Sequence, residues 1–410
     1  MPRDTYAAVF RVTEFRAVFA AHLLSVLGLV VAELALTVLV YRLTGSPLMS
    51  ALTFALGFLP YLLGGTLLAP LADRRPARRV LVVCDLVCAV CAAAMVLPGT
   101  PVAVLLALRC VLALIGPLFQ GTRNASLADV LGPGERYVLG RSLLRMVSQS
   151  AQLTGFGLGG VLLALVSPRS ALAVTAAGFA GSALLLRYGT RRRPARAAGD
   201  RSSLPAGLRA VLGDRRTRSL MLLFWLPSLF LVVPEALMAP YVDGLGAGTT
   251  ALGLLMCALP VGTVAGELWA GSALSARARS RLVGPLAVAG FLPLLGYALR
   301  PGLALLAGLL LLAGLAHAYT LGLDQWFVEV VPEELRGRAM TLLSTGLMTL
   351  QGVGMALAGL AAEFLPLHQV VAGAAVLGAS CVLVLLADLR AADAAAAPRG
   401  PRTETGLSAK

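Results

Sequence analysis

Two glutamates stand in long apolar runs with nearly the same neighbours: "LVVAE" ends at Glu33 and "LVVPE" at Glu235, 202 positions later. A charge at the centre of a bilayer costs about 2.5–3.5 kcal/mol on insertion scales, so such a group is expected to face a protein cavity, find a partner or carry a proton. Glu33 lies 17 residues past Arg16, and Glu235 lies 17 residues past Arg218. At a helical rise of 1.5 Å per residue, both sit about 25 Å from the basic end of their segment. Arg109 breaks another apolar run at a matching depth, eight residues inside Pro101, while Glu33 is nine residues from Arg42. An ion pair between Glu33 and Arg109 is therefore expected, with Glu33 kept ionised. Glu235 has no such counterpart, because Leu309 to Leu311 occupy the stretch where Arg109 would align. Burial without a counter-charge favours a neutral carboxyl group, which makes Glu235 the expected proton carrier. The competing role is a silent bond to backbone groups freed by Pro234.

His317, Asp324 and Gln325 form a second set of candidates for binding substrate or protons, and Glu267 lies in another apolar run. A histidine alone in such a run is more often a helix–helix contact than a ligand. Gln149, Gln152 and Gln351 read as interhelical hydrogen-bonding groups. Asp85 stands six residues after Arg79, which suggests a local salt bridge.

These groups need elements that cross an apolar phase. The chain has 410 residues, 58% hydrophobic and only 13% charged, far too apolar for a soluble domain. Twelve apolar spans are expected, near 17–41, 47–71, 79–98, 102–128, 138–166, 169–188, 218–242, 249–274, 281–299, 302–328, 337–364 and 368–389. Each is long enough to cross a core of about 30 Å as a helix. Continuous runs of this length exclude a β-barrel, whose strands alternate over about 10 residues. The fold class is thus an all-α integral membrane protein.

The net charge of +14 would suit nucleic acid, but its distribution has a simpler cause. Arg74, Arg75, Arg78 and Arg79, then Arg136 and Arg141, then Arg277, Arg279 and Arg281, then Arg336 and Arg338 fall in alternate loops. The stretch from Arg187 to Arg218 holds ten arginines, whereas the other loops hold only Arg42, Arg169 and Arg300. This positive-inside bias predicts cytoplasmic basic loops and termini in the cell membrane, with no nucleic-acid partner. The only lysine is Lys410, which excludes P-loop ATP hydrolysis and Schiff-base chemistry. Cys84, Cys88 and Cys91 share a helix face, but no His or carboxylate completes a ligand set. Neither metal nor cofactor is expected, nor a disulfide.

The chain also repeats. Arg75 and Arg79 recur as Arg277 and Arg281 at offset 202, and Gln152, Gly155, Gly159 and Gly160 recur as Gln351, Gly354, Ala358 and Gly359 at offset 199. The expected organisation is a six-helix half over 1–188, a cytoplasmic linker over 189–217, a second half over 218–390 and a disordered tail over 391–410. Six spans per half return the second half to the same orientation, so the two form a parallel pseudo-symmetric pair with a site between them. The stretch from Ser202 to Leu212 reads either as a membrane-surface helix or as a plain connector.

With the repeat in view, the stretch "APLADRRPARR" from Ala69 to Arg79 resembles the motif G-x-L-a-D-R-x-G-R-[RK] of the major facilitator superfamily. Asp73, Arg74 and Arg78 match; Ala69, Pro76 and Ala77 depart. The resemblance implies a conformational latch, with Asp129 as a candidate acidic partner. "AQLTGFGLGG" from Ala151 to Gly160 resembles the helix-five exporter motif G-x-x-x-G-P-x-x-G-G, with Phe156 in place of its proline. Gly155, Gly159 and Gly160 would also allow close helix packing. The family implies cavity-lining helices one, four, seven and ten, alternating access and a functional monomer. The expected function is proton-coupled export of small amphipathic, possibly cationic, compounds rather than enzymatic chemistry. Nutrient uptake is the alternative, and a sensor or scaffold a more distant one.

Overall fold

The structure is a computed structural model that describes residues 6–61, 63–64, 68, 75–132, 135–193, 215–331 and 333–396. After a short turn at Tyr6–Phe10, the first half comprises α1 (Thr13–Thr44), α2 (Pro47–Phe58), α3 (Ala77–Val96), α4 (Val102–Leu131), α5 (Glu135–Leu165) and α6 (Pro168–Gly189). The second comprises α7 (Arg215–Leu231), α8 (Thr249–Ala273), α9 (Ala276–Ala289), α10 (Leu303–Ala316), α11 (Glu333–Ala362) and α12 (Leu367–Ala396). Among the described residues, ten helical segments are long and apolar enough to cross a membrane. The other two are α2, described over 12 residues, and α5, which is 31 residues long but carries polar side chains on its basic half. We call the end bearing the arginine-rich loops the basic face and the opposite end the far face.

Turn chemistry sets several boundaries. Ser46 and Ser167 accept the N–H groups of Met49 and Ser170, and a proline follows each at the first helical position. Gly45 ends α1 at φ 65°, a left-handed conformation that glycine adopts without strain.

Three helices expected as continuous spans are interrupted. Short helical segments at Val233–Ala236 and Met238–Gly244 continue α7, and Leu292–Leu295 with the 3-10 turn Gly296–Leu299 continues α9. α10 breaks at His317 and Ala318 and resumes at Tyr319–Val330. Pro234, Pro240 and Pro293 account for the first two, since proline removes a backbone donor and clashes with the preceding turn. The tail also differs from expectation: α12 runs to Ala396, because "AADAAA" after Arg390 is dominated by the strongest helix former. The Ser202 to Leu212 stretch lies outside the described residues.

In the first half α1 packs on α5 and α6, and α3 on α6; in the second α7 packs on α11 and α12, and α8 on α10. Closures on the basic face follow the repeat with reversed charges. Arg193 forms a two-pronged pair with Glu14, at 2.5 and 2.9 Å, tying the end of α6 to the start of α1. Arg215 pairs with Asp388 at 2.6 Å, tying α7 to α12.

The halves meet through α5 against α8 and α2 against α11, towards the far face. Glycines make these contacts possible. A Cβ on Gly160 would lie 2.7 Å from Gly253 Cα and Thr249 O. One on Gly359 would lie 2.7 Å from Ala51 Cβ and 3.0 Å from Leu48 Cα. Glu363 accepts from Ser46 Oγ and from Leu48 N at 3.1 Å, and Tyr41 stands within electrostatic reach of Asp243. The far face is therefore closed.

Candidate functional site

Glu33 and Arg109 come together. Arg109 Nη2 donates to Glu33 Oε1 across α1 and α4, and both side chains are largely buried, 15% and 5% exposed. Arg109 Nε also donates to Thr53 O of α2 at 3.4 Å. Gly57 leaves the guanidinium its place, since a Cβ there would collide with Arg109 Nη2. Low dielectric strengthens such a pair, and each ion compensates the other's desolvation.

Glu235 lies opposite, in the one-turn segment Val233–Ala236, between breaks at Val232 and Leu237. Val233, Pro234 and Ala236 around it are buried, but Glu235 itself keeps partial exposure. It feels the charge of Glu33 through space. Among the described residues Glu235 has no ion pair. The arrangement is one compensated carboxylate facing one uncompensated carboxyl group from the other half.

No hydrogen bond or ion pair among the described residues joins Asp324 or His317 to this centre. Asp324 is exposed on the segment after the α10 break, within electrostatic reach of Glu267 on α8. His317 stands at the break itself, its ring 5.6 Å from that of Tyr319. Nearby, Trp326 Nε1 donates to Ser280 Oγ at 2.5 Å, joining this segment to α9.

Of the latch residues, Asp73 and Arg74 lie outside the described residues. Arg78 donates to the Arg187 carbonyl near the end of α6, and exposed Asp129 acts electrostatically on Arg193. The glycines of α5 divide their work. Gly155 and Gly159 face α1, where a Cβ would lie 2.7 Å from Val30 Cγ1 and 3.3 Å from Leu34 Cδ2. Gly160 faces α8 in the other half. Gln149 and Gln152, expected to join helices, are exposed.

Asp85 corrects an expectation. It does not pair with the preceding loop: it is 1% exposed and points into the first half. The hydroxyls of Ser25 and Ser182 lie 3.0 and 2.5 Å from its two carboxylate oxygens. The reason is helical phase: Asp85 shares the buried face of α3 with Leu81, Cys84 and Cys88. Beside it stand two residues that sequence reasoning missed, His22 on α1 and Arg123 on α4, 5% and 6% exposed. Arg123 Nη1 bonds to His22 Nδ1, and its guanidinium lies 4.1 Å from the centre of the Phe119 ring. His22 Nε2 is 2.9 Å from Ser148 Oγ and 3.1 Å from Leu144 O, so the network assigns a neutral ring donating from Nε2 and accepting at Nδ1. These groups border a cavity of about 220 Å³ in the first half.

A family model described as Major Facilitator Superfamily matches residues 18–322. No curated protein matches the chain. Among solved structures, that of the nucleoside transporter NupG superposes with a TM-score of 0.71 at 14% identity, over 92% of this chain and 99% of that one. A bacterial homologue of the human lysosomal transporter Spinster, inward-facing and unoccupied, gives 0.64 at 16% identity over 93% and 96%. A POT family transporter in complex with a thioalcohol-conjugated peptide gives 0.71 at 11% over 92% and 96%. At such identities the likeness speaks for the fold alone.

Proposed function

Because the chain belongs to the major facilitator superfamily and is a multi-pass secondary transporter, we propose that it exports small amphipathic compounds across the cell membrane in exchange for protons. The observation that carries this reading is the asymmetry at the centre: Glu33 is held by Arg109, while Glu235 has no ion pair among the described residues and feels Glu33 across the interface. A carboxyl group poised this way gains a proton at little structural cost, and its charge state alters the attraction between the halves.

In alternating access a ligand shifts the states only by its differential affinity for them. Protonation of Glu235 from outside removes its charge, favours release of substrate and permits return to the cytoplasm-facing state. Loss of the proton to the cytoplasm restores the charge and with it the state that accepts the next substrate. The broken helix around Glu235 supports this role, because freed backbone groups beside a cavity are a recurrent feature of transporter sites. Export, rather than uptake, is supported by the resemblance of the α5 glycines to the exporter motif. Cytoplasmic basic loops and termini follow from the arginine distribution.

The test is Glu235→Gln in proteoliposomes under an imposed pH gradient. Gradient-driven net transport should be lost while substrate exchange persists, because binding and state change survive without the proton step. Net transport at the wild-type rate would remove the coupling role from Glu235. Accumulation of the compound in intact expressing cells, rather than depletion, would reverse the direction.

A further inference from the structure

We propose that the cavity beside Arg123 binds the carboxylate of a small organic acid with an apolar body, at a site separate from the Glu33–Glu235 centre. This deepens the transporter reading by naming a substrate class, and it replaces the cationic preference inferred from carboxylates alone. Fourteen residues separate Arg109 from Arg123 on α4, or about 21 Å along the helix. The two sites therefore lie at different depths.

The first observation is an unsatisfied cation. Arg123 is 94% buried by its 6% exposure, and among the described residues its Nη2 has no hydrogen-bond partner. Guanidinium carries five donors in a planar fork and does not give up its charge in proteins. The described contacts use that fork sparingly: Nη1 meets His22, and Phe119 covers one face of the group. A buried charged donor without an acceptor is costly, so whatever occupies the neighbouring space is favoured if it brings one.

The second observation is that the obvious internal acceptor is already engaged. Asp85 also borders the cavity and acts on Arg123 through space, but each of its oxygens receives a serine hydroxyl, and no ion pair within 4 Å joins it to Arg123 among the described residues. His22 is held in its neutral form by Ser148 and Leu144. A neutral ring accepts from Arg123 but offers no counter-charge. A cationic ligand would meet the guanidinium, and a purely apolar one would leave Nη2 unpaired.

The rest of the lining supplies the apolar surface. Val26, Ile115, Phe119 and Phe179 form much of it, and Gly116 leaves room on the α4 wall. Exposed Gln120 stands at the rim and accepts from the Tyr61 hydroxyl at 3.0 Å. The site also belongs to one half only. At the repeat offset, Phe224, Ala287 and Gln325 replace His22, Asp85 and Arg123. A structural device shared by both halves would not be so one-sided.

The experiment is direct binding of radiolabelled benzoate to the purified full-length protein, with benzamide and benzylamine as competitors of matched shape. Benzoate should bind saturably, and each competitor should be at least about tenfold weaker, the scale set by a charge-assisted hydrogen bond. Arg123→Gln should weaken benzoate by at least the same factor. Gly116→Leu, whose Cβ would stand 3.7 Å from the Tyr61 ring at the cavity wall and leaves Arg123 in place, should abolish binding; it also serves as the independent variant should Arg123→Gln fold poorly. Absence of saturable binding, equal competition by benzamide, or unchanged affinity in Gly116→Leu would overturn the proposal. Binding is measured without a proton gradient, so a failure of Glu235 coupling leaves this result intact.

Discussion

Gly160 offers a way to bias the access states without touching any charged group. It sits where α5 crosses α8, and an added methyl would stand 2.7 Å from both Gly253 Cα and Thr249 O. Both obstacles are backbone, so the clash is not relieved by turning a side chain. Overpacking of this kind costs about 1–3 kcal/mol. The cost falls on the state in which the far face is closed, since the contact joins the two halves. Gly160→Ala should therefore shift the equilibrium about 5–150-fold towards far-face opening. Cys257 reports the change. Its thiol lies 3.1 Å from Leu153 O at the same α5–α8 seam, so opening exposes it. With Cys257 as the sole cysteine, labelling by an impermeant maleimide from the far side should accelerate in proportion to the open fraction. Gly159→Ala is the control: its nearest neighbour is the flexible tip of Leu34 at 3.3 Å, within its own half. A folded Gly160→Ala protein that labels at the wild-type rate would refute the reasoning, because the seam would then not separate during transport.

Glu33→Gln should reduce folding yield as well as activity, since it leaves Arg109 buried without a counter-charge at a cost of about 3–5 kcal/mol; detergent-solubilised yield and thermal stability measure it. Glu363→Gln should weaken the clasp on Ser46 and Leu48 and raise Cys257 labelling less than Gly160→Ala does, because this contact lies at the exposed rim. A cysteine replacing exposed Arg192 should stay unlabelled by an impermeant reagent in intact cells, as the cytoplasmic assignment requires; rapid labelling would reverse the orientation. Asp73→Asn should slow transport at nearly unchanged protein level, and transport at the wild-type rate would reduce the "LADRR" loop to a topological signal.

The architecture was largely legible because span length, arginine placement and the repeat all follow from the physics of the bilayer. The Glu33–Arg109 pair was legible for the same reason: two opposite charges at one depth on neighbouring helices have few alternatives. Depth arithmetic could also have found the other polar cluster. His22, Asp85 and Arg123 lie nine, eight and eight residues from the basic ends of their helices. Arg123 was hidden because α4 was expected to stop near 128 instead of Leu131, which placed the arginine too close to the surface. Asp85 was assigned to its sequence neighbour, yet helical phase turned it towards Ser25 and Ser182. Neither serine carries any signal in sequence until the phase of three helices is known. The helix breaks were only partly readable. Pro234 marked the one at Glu235, but the break at His317 and Ala318 has no proline.

The interruptions have a mechanical meaning. In the first half, α1, α3, α4, α5 and α6 are continuous through their described lengths, while α7, α9 and α10 in the second half are each jointed. A continuous helix resists bending through every rung of its backbone ladder, whereas a joint concentrates deformation at the few residues where rungs are missing. The two halves thus differ in compliance as well as in charge, the first resembling a strut and the second an articulated arm. The strut carries the Glu33–Arg109 ion pair, and the arm carries Glu235, the carboxyl group proposed to change its protonation. Elastic asymmetry of this kind directs motion: under the proposed coupling, a proton taken up at Glu235 would act on the joint beside it, and the lever it moved would turn against a stiffer frame.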